Sequence, residues 1–292
     1  MSAVVSFICE QILFAQLPLV RIDDLITNLN QDLMLKLNGN HFFARISYDP
    51  GPNGFLGKGA FKTTMRATLE FEGKKPLTGL GSTPAPPNEQ TPESDAALPY
   101  TVALKRVFQE KFRSKVITRL GYADEQYAIT DEGKLLVWSS ALLKMVYDFV
   151  WAFIAKNDPP QAPFEIEKFR FVSAAVAVAQ KPLDANTSST HRAVYLLEEM
   201  LPSPELFVKY IHNDNAKPQD FGSGNNIHNR KTQFLTFVQH AQYQLTHETM
   251  YVSDFQGKVI HPFVLHSTVL TLIFLPSGVG HILIDPQIMT AP

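Results

Sequence analysis

The sequence predicts a two-lobed α+β fold, with an antiparallel sheet in the first half and a mixed arrangement of helices and shorter strands in the second. Three observations predict it. Alternating β-rich patches at residues 42–48, 60–71 and 100–108 are separated by glycine and proline. A long helical periodicity follows at 131–156, and a shorter one at 232–246.

The bulk properties are compatible with such a fold. A chain of 292 residues that is 45% hydrophobic can bury a substantial core. A formal net charge of -2 gives no basic field for nucleic acid or an anionic membrane surface, so neither is expected as a partner. Cys9 is the one cysteine, which excludes an internal disulfide and any Cys-x-x-Cys pair and fits a reducing, cytoplasmic setting. Residues 1–20 are apolar, but they lack a basic start and carry Glu10, so a core helix or strand is expected there rather than a leader. The apolar run 259–275 contains His261, Pro262 and His266 and is shorter than the roughly 20 residues of a membrane-spanning helix.

Along the chain, residues 1–41 read as an N-terminal extension, 42–200 as the first lobe and 201–292 as the second. Within the first lobe, 73–99 holds six prolines among small polar residues and reads as a disordered excursion from a hairpin. On the long helix, Leu135, Trp138, Leu142, Met145, Phe149 and Phe153 recur at helical spacing and are expected to face inward. Strand-like runs at 169–179 and 193–199 follow. On the second helix Phe234, Leu235, Val238, Ala241 and Leu245 form the inward face, and a short strand at 249–253 comes next.

Several motifs carry chemistry. Gly57 and Gly59 lie in a turn between strands, where the missing side chains let backbone N–H groups approach a phosphate, and Lys62 adds positive charge just beyond; an ordinary hairpin would also use such a turn. Val102-Ala103-Leu104-Lys105 places a lysine on an apolar strand, readable either as a phosphate contact or as a side chain snorkelling at a strand edge. Further on, Ser253-Asp254-Phe255-Gln256-Gly257 runs from a strand into an acid and an amide. Val279-Gly280-His281-Ile282-Leu283-Ile284-Asp285-Pro286 supplies a second acid.

These last segments resemble the α-kinase family of atypical serine/threonine kinases, in which a helix carrying a histidine–aromatic segment leads through a strand to Asp-Leu-Gln-Gly-Val-Gly and then Leu-Thr-Asp-Pro. Here His240-Ala241-Gln242-Tyr243 begins fourteen residues before Asp254. The resemblance implies a kinase-like α+β fold, ATP and Mg²⁺ as cofactors, and a protein substrate. Asp254 would be the catalytic aspartate, Gln256 and Asp285 the Mg²⁺ ligands, and Lys105 the ATP lysine. Lys62 stands where many members have arginine. Tyr195 to Met200 with Phe207-Val208-Lys209-Tyr210 is similar to the family's hinge and its Phe-x-Lys-Tyr segment, which implies an adenine contact for Glu198 or Glu199 and a nucleotide contact for Asn213. A conventional protein kinase fits less well, because no His-Arg-Asp-type loop precedes Asp254 and no Ala-Pro-Glu follows it.

The sequence also departs from the family pattern. About ten residues separate the family's two acids, whereas thirty-one separate Asp254 from Asp285, with 258–278 as an apolar insert. That insert reads as an insertion loop or as a retained intron, since Gly257-Lys258 and Ser277-Gly278 can be encoded with splice-donor and splice-acceptor triplets. The family's structural zinc site would use His240, but its downstream His-x-Cys-x-x-x-Cys segment does not occur before Pro292, so the zinc site is incomplete. The sequence therefore supports two functions: phosphotransfer from ATP to protein hydroxyls, or a nucleotide-binding pseudokinase serving as an interaction module.

Overall fold

The computed structural model describes residues 7–27, 41–72, 100–110, 116–156, 162, 165–180, 193–201, 207–213, 217–260 and 280–290. The expected excursion at 73–99 and most of the insert, 261–279, lie outside the described residues. In chain order the first elements are β1 (Ile8–Gln16), α1 (Ile22–Thr27), β2 (His41–Tyr48), β3 (Phe55–Lys58), β4 (Lys62–Phe71), β5 (Tyr100–Val107), β6 (Gln109–Glu110) and β7 (Ile117–Thr118). Next come α2 (Tyr122–Ile154), β8 (Phe169–Phe171), β9 (Ala174–Ala179), β10 (Val194–Glu199) and β11 (Val208–Lys209). The chain continues with α3 (Asn226–Leu245), β12 (Met250–Ser253), β13 (Gln256–Ile260), β14 (Gly280–Ile284) and β15 (Gln287–Thr290).

The first sheet has the order β2-β1-β9-β10-β5-β4-β3, and β2 pairs with β4 as well. Six strands therefore close on themselves with every neighbouring pair antiparallel, and β3 lies along β4. Closure removes the exposed backbone edges that an open sheet would leave. Alternate residues fill the interior: Ala44, Ile46 and Tyr48 from β2, Met65, Ala67 and Leu69 from β4, and Val102 and Leu104 from β5. Three small residues of β9, Ala175, Ala177 and Ala179, share that core with the larger Phe14, Tyr100 and Tyr195. Residues 1–41 were expected to precede the sheet, yet β1 lies inside it, between β2 and β9. Its partners are distant in sequence, so the strand pattern from residue 42 onward gives no sign that another strand is needed to close the sheet.

The second sheet, β11-β13-β14-β8, is mixed: its first two pairings are antiparallel, and β14 runs parallel to β8. The run 169–179, read as one strand-like stretch, is divided between the two sheets. β8 pairs with β14, and two residues later β9 enters the barrel, so the first lobe as drawn (42–200) contains a strand of the second sheet. Hydrogen bonds from Val172 N to Leu283 O and from Glu199 N to Ser173 O pin the crossing.

Helix α2 joins the two halves, and at 33 residues it is about 50 Å long. Asp124 and Glu125 in its first turn complement the helix dipole. It begins nine residues before the start expected at Asp131, because its first inward positions are Ile129 and Glu125, and a buried carboxylate reads as surface in a sequence. Its buried stripe runs through Leu136, Leu143, Val146, Val150 and Ile154, with Leu142 alongside. Phe149 and Phe153, expected inside, are 46% and 57% exposed. Two apolar stripes at helical spacing compete on this helix, and packing selects the aliphatic one. The helix is long and apolar enough to cross a bilayer by those measures alone, while 44% of its most apolar window is buried here.

Helix α3 starts six residues before the expected 232 and buries Phe234, Leu235, Val238 and Ala241 as expected, with Leu245 partly covered. It also grips β12: Gln239 Nε2 donates to Val252 O and Gln242 Oε1 accepts from Val252 N, both at 2.9 Å.

Candidate active site

Two short links in the second half bring the two acids together. Asp254-Phe255 joins β12 to β13, and Asp285-Pro286 joins β14 to β15. On one side of these links Ser253 pairs with Gln287, and on the other Gln256 pairs with Ile284. The links therefore lie opposite each other, and the thirty intervening residues are spanned by a ladder. Lys258, Val259 and Ile260, the first residues of the insert, extend that ladder opposite Ile282, His281 and Gly280. Both acids have left-handed backbones, with φ of 57° at Asp254 and 45° at Asp285. This conformation is unfavourable for most side chains and better tolerated by aspartate, and such strain tends to gather at functional sites.

Gly257 tightens the junction. A Cβ there would stand 2.2 Å from Ile282 O, so only glycine lets β13 and β14 approach this closely. On the other side of β13, Val208 pairs with Gly257 and Lys209 with Gln256. Lys209 Nζ lies 2.5 Å from Asp254 Oδ1, a role that sequence reasoning missed although it had quoted the Phe-x-Lys-Tyr segment. Lys209 and Asp254 are far apart in the sequence, and only the β11–β13 pairing makes them partners.

Lys105, from the barrel, completes the arrangement. It is 6% exposed, and its Nζ lies 2.8 Å from Glu198 Oε2 on the adjacent β10 and 2.7 Å from Asp285 Oδ1. Burial alone would lower the Lys105 pKa, but the charges of Glu198 and Asp285 outweigh it and raise the net value. For Asp285 burial acts upward, and Lys105 and Lys62 hold it below its ordinary value. Glu198 is raised, chiefly by its complete burial, which Lys105 offsets only in part. Lys62, the first residue of β4, lies 3.6 Å from the same Asp285 oxygen and 2.6 Å from Glu132 Oε2 on α2.

The structure thus brings together Lys62, Lys105, Glu198 and Asp285 through ion pairs, and Asp254, Gln256 and Asp285 through the ladders. Of the two glycines expected in a turn, Gly57 lies within β3 opposite Thr64 and Gly59 in the turn ahead of Lys62; Gly59 N donates to Lys62 O at 2.8 Å, and a Cβ on Gly57 would meet nothing within 4 Å. Glu198, expected at adenine, has its carboxylate held by Lys105 instead. Glu199 pairs with Arg170 at 2.7 Å. Asn213 and His240 are exposed. No group of three or more His, Cys, Asp or Glu able to hold a metal occurs among the described residues, and the single cysteine, Cys9, lies exposed on β1, so a zinc site around His240 does not fit what is present. Gln256 and Asp285 offer oxygen donors, the type a hard cation such as Mg²⁺ takes.

The sequence model of the Alpha-kinase family matches residues 141–292, just over half of the chain. The chain belongs to the α-kinase family. A search of the curated proteins finds no match. Among solved structures, the apoenzyme α-kinase domain of myosin-II heavy chain kinase A is 14% identical at a TM-score of 0.47, covering 98% of this chain and 85% of that one. The same domain in complex with AMP-PNP is 14% identical at 0.44, with the same coverage. An inactive form of it in complex with ATP is likewise 14% identical at 0.44. No residue role in this α-kinase rests on these likenesses.

Proposed function

We propose that this α-kinase domain transfers the γ-phosphoryl group of ATP to a serine or threonine hydroxyl of a protein substrate. The observation that carries the reading is the convergence on one place of two left-handed aspartates and a buried lysine from the other half of the chain. Phosphoryl transfer needs positioned positive charge around the phosphates and a carboxylate at the acceptor hydroxyl, and little covalent chemistry from the protein. Lys105, steadied by Glu198, meets the α- and β-phosphates, and Lys62 with the adjoining glycine turn covers them from the barrel side. Asp254 orients the acceptor hydroxyl and receives its proton, while Lys209 at 2.5 Å holds that carboxylate in place. The acceptor oxygen bonds to the γ-phosphorus, the bond from that phosphorus to the bridging oxygen breaks, and ADP leaves. Gln256 and Asp285 would hold Mg²⁺, which when bound neutralises charge on the β- and γ-phosphates.

Thermal stabilisation by Mg·ATP, measured beside transfer of label from γ-labelled ATP to acceptor proteins, tests this reading. Stabilisation together with transfer that Asp254→Asn abolishes is the expected result. Absence of both in the wild type overturns it. Stabilisation without transfer, unchanged by Asp254→Asn, selects the interaction-module reading. That second reading is favoured by one observation: Asp254 and Asp285, the two acids assigned to the chemistry, are both paired with lysine.

A further inference from the structure

Asp285 Oδ1 has two lysines as neighbours at unequal distances. Lys105 lies at 2.7 Å and Lys62 at 3.6 Å. What keeps Lys62 farther away is visible on its other side, where Glu132 Oε2 lies 2.6 Å from the same ammonium. Glu132 is itself held in place by the seating of α2. The neighbouring Gly133 is buried so closely that a Cβ there would stand 3.3 Å from Leu17 and 3.4 Å from Val176, which fixes the helix against the barrel at this turn. The backbone of Lys62 is fixed as well, because it opens β4 opposite Val107 and accepts a hydrogen bond from Gly59. With both backbones fixed, the Lys62 side chain has two carboxylates in reach, and Glu132 is the nearer.

We infer that Glu132 is a positioning residue of the nucleotide site, which holds the Lys62 ammonium off Asp285. The inference rests on the phosphotransferase reading and adds to it. Asp285 must exchange lysine for Mg·nucleotide when substrate binds, and a carboxylate on which both lysines close to hydrogen-bond distance resists that exchange more than one with Lys105 at 2.7 Å and Lys62 at 3.6 Å. Glu132 keeps the second lysine aside, at the base of the glycine turn, where it is available to phosphate. The role is invisible in the sequence, because Glu132 reads as one of the acids at the start of a helix.

Glu132→Gln keeps the size of the side chain and its helix preference while removing the charge. Two readouts separate the possibilities. The first needs no nucleotide: in a crystal structure of Glu132→Gln the Lys62 ammonium should close from 3.6 Å to hydrogen-bond distance of Asp285 Oδ1, about 2.8 Å. The second is the Mg·ATP concentration giving half-maximal stabilisation, which should rise about fivefold in Glu132→Gln, the reach of one partly exposed ion pair, while kcat at saturation stays within about twofold. A Glu132 that served only to stabilise the helix would lower the melting temperature and leave both readouts alone. A Lys62 ammonium that lies no closer to Asp285 in Glu132→Gln than in the wild type overturns the inference. If the wild type gains no stability from Mg·ATP, the phosphotransferase reading fails, while the Lys62–Asp285 distance in Glu132→Gln still decides whether Glu132 governs Lys62.

Discussion

Lys105 and Glu198 form a buried ion pair, and its loss is costly because removing one partner strands the other charge away from water. Lys105→Met is expected to destabilise the fold by about 3–5 kcal/mol in denaturant titration and to abolish Mg·ATP-dependent stabilisation. Adding Glu198→Leu should recover much of the stability and none of the nucleotide response, which separates the structural role of the pair from its chemical one. Asp254 differs because the proposed reaction needs it for turnover rather than for the fold. Asp254→Asn should reduce kcat by about 10²–10⁴-fold, the range for loss of a general base, with Mg·ATP stabilisation retained. Glu132 belongs to a third kind: it touches no substrate in this reading and acts through Lys62.

Elements position these residues, and the decisive one is the pair β13–β14. It sets Asp254 and Asp285 opposite each other although a long insert separates them in sequence. Gly257 makes that pairing possible, since a side chain there would collide with the backbone of Ile282. Gly257→Ala is therefore expected to cost about 1–3 kcal/mol or more by overpacking, read as a lowered denaturation midpoint, and to weaken Mg·ATP binding as Gln256 and Asp285 separate. Helix α2 acts at the same scale. Its first half seats Glu132 against the barrel, and its second half packs Val146, Val150 and Ile154 into the core shared with α3 and the second sheet. Glu125, also on α2, is fully buried and accepts from Arg106 at 2.6 Å and from Val194 N at 2.9 Å, so the helix is bonded to β5 and β10 next to Lys105.

For the whole molecule, the buried charges shape how stability depends on pH. His228 and His281 both have pKa values lowered mainly by burial, and the Nδ1 atom of each is buried without a hydrogen-bond partner in the described structure. A histidine depressed in the folded state leaves stability full above its unfolded value near 6.5, and stability declines as pH falls, because the unfolded chain takes up the proton first. Melting temperatures should therefore hold steady above about pH 6.5 and drop below it, each histidine contributing up to about 1.4 kcal/mol per pH unit. His281→Gln, which can still donate to Glu167, should flatten the start of that decline. Glu167, lowered against burial by its hydrogen bonds with His281 and Arg230, and Asp285, lowered against burial by Lys105 and Lys62, add a second loss at more acid pH as they take up protons. Glu198, raised by burial, works in the opposite direction, favouring the fold as pH falls toward the ordinary carboxylate range. The sequence by itself determined the composition of the two halves, the existence of both helices, most strands of the barrel, and the acids and lysine of the site, because periodicity and short motifs are local signals. It did not determine that β1 closes the barrel, that 169–179 divides between two sheets, which stripe of α2 turns inward, or that Lys209 meets Asp254 and Glu132 meets Lys62. Those were decided by tertiary structure, because each depends on partners far apart in the chain. Charge–charge partnership and strand closure leave no periodic trace in the residues that make them.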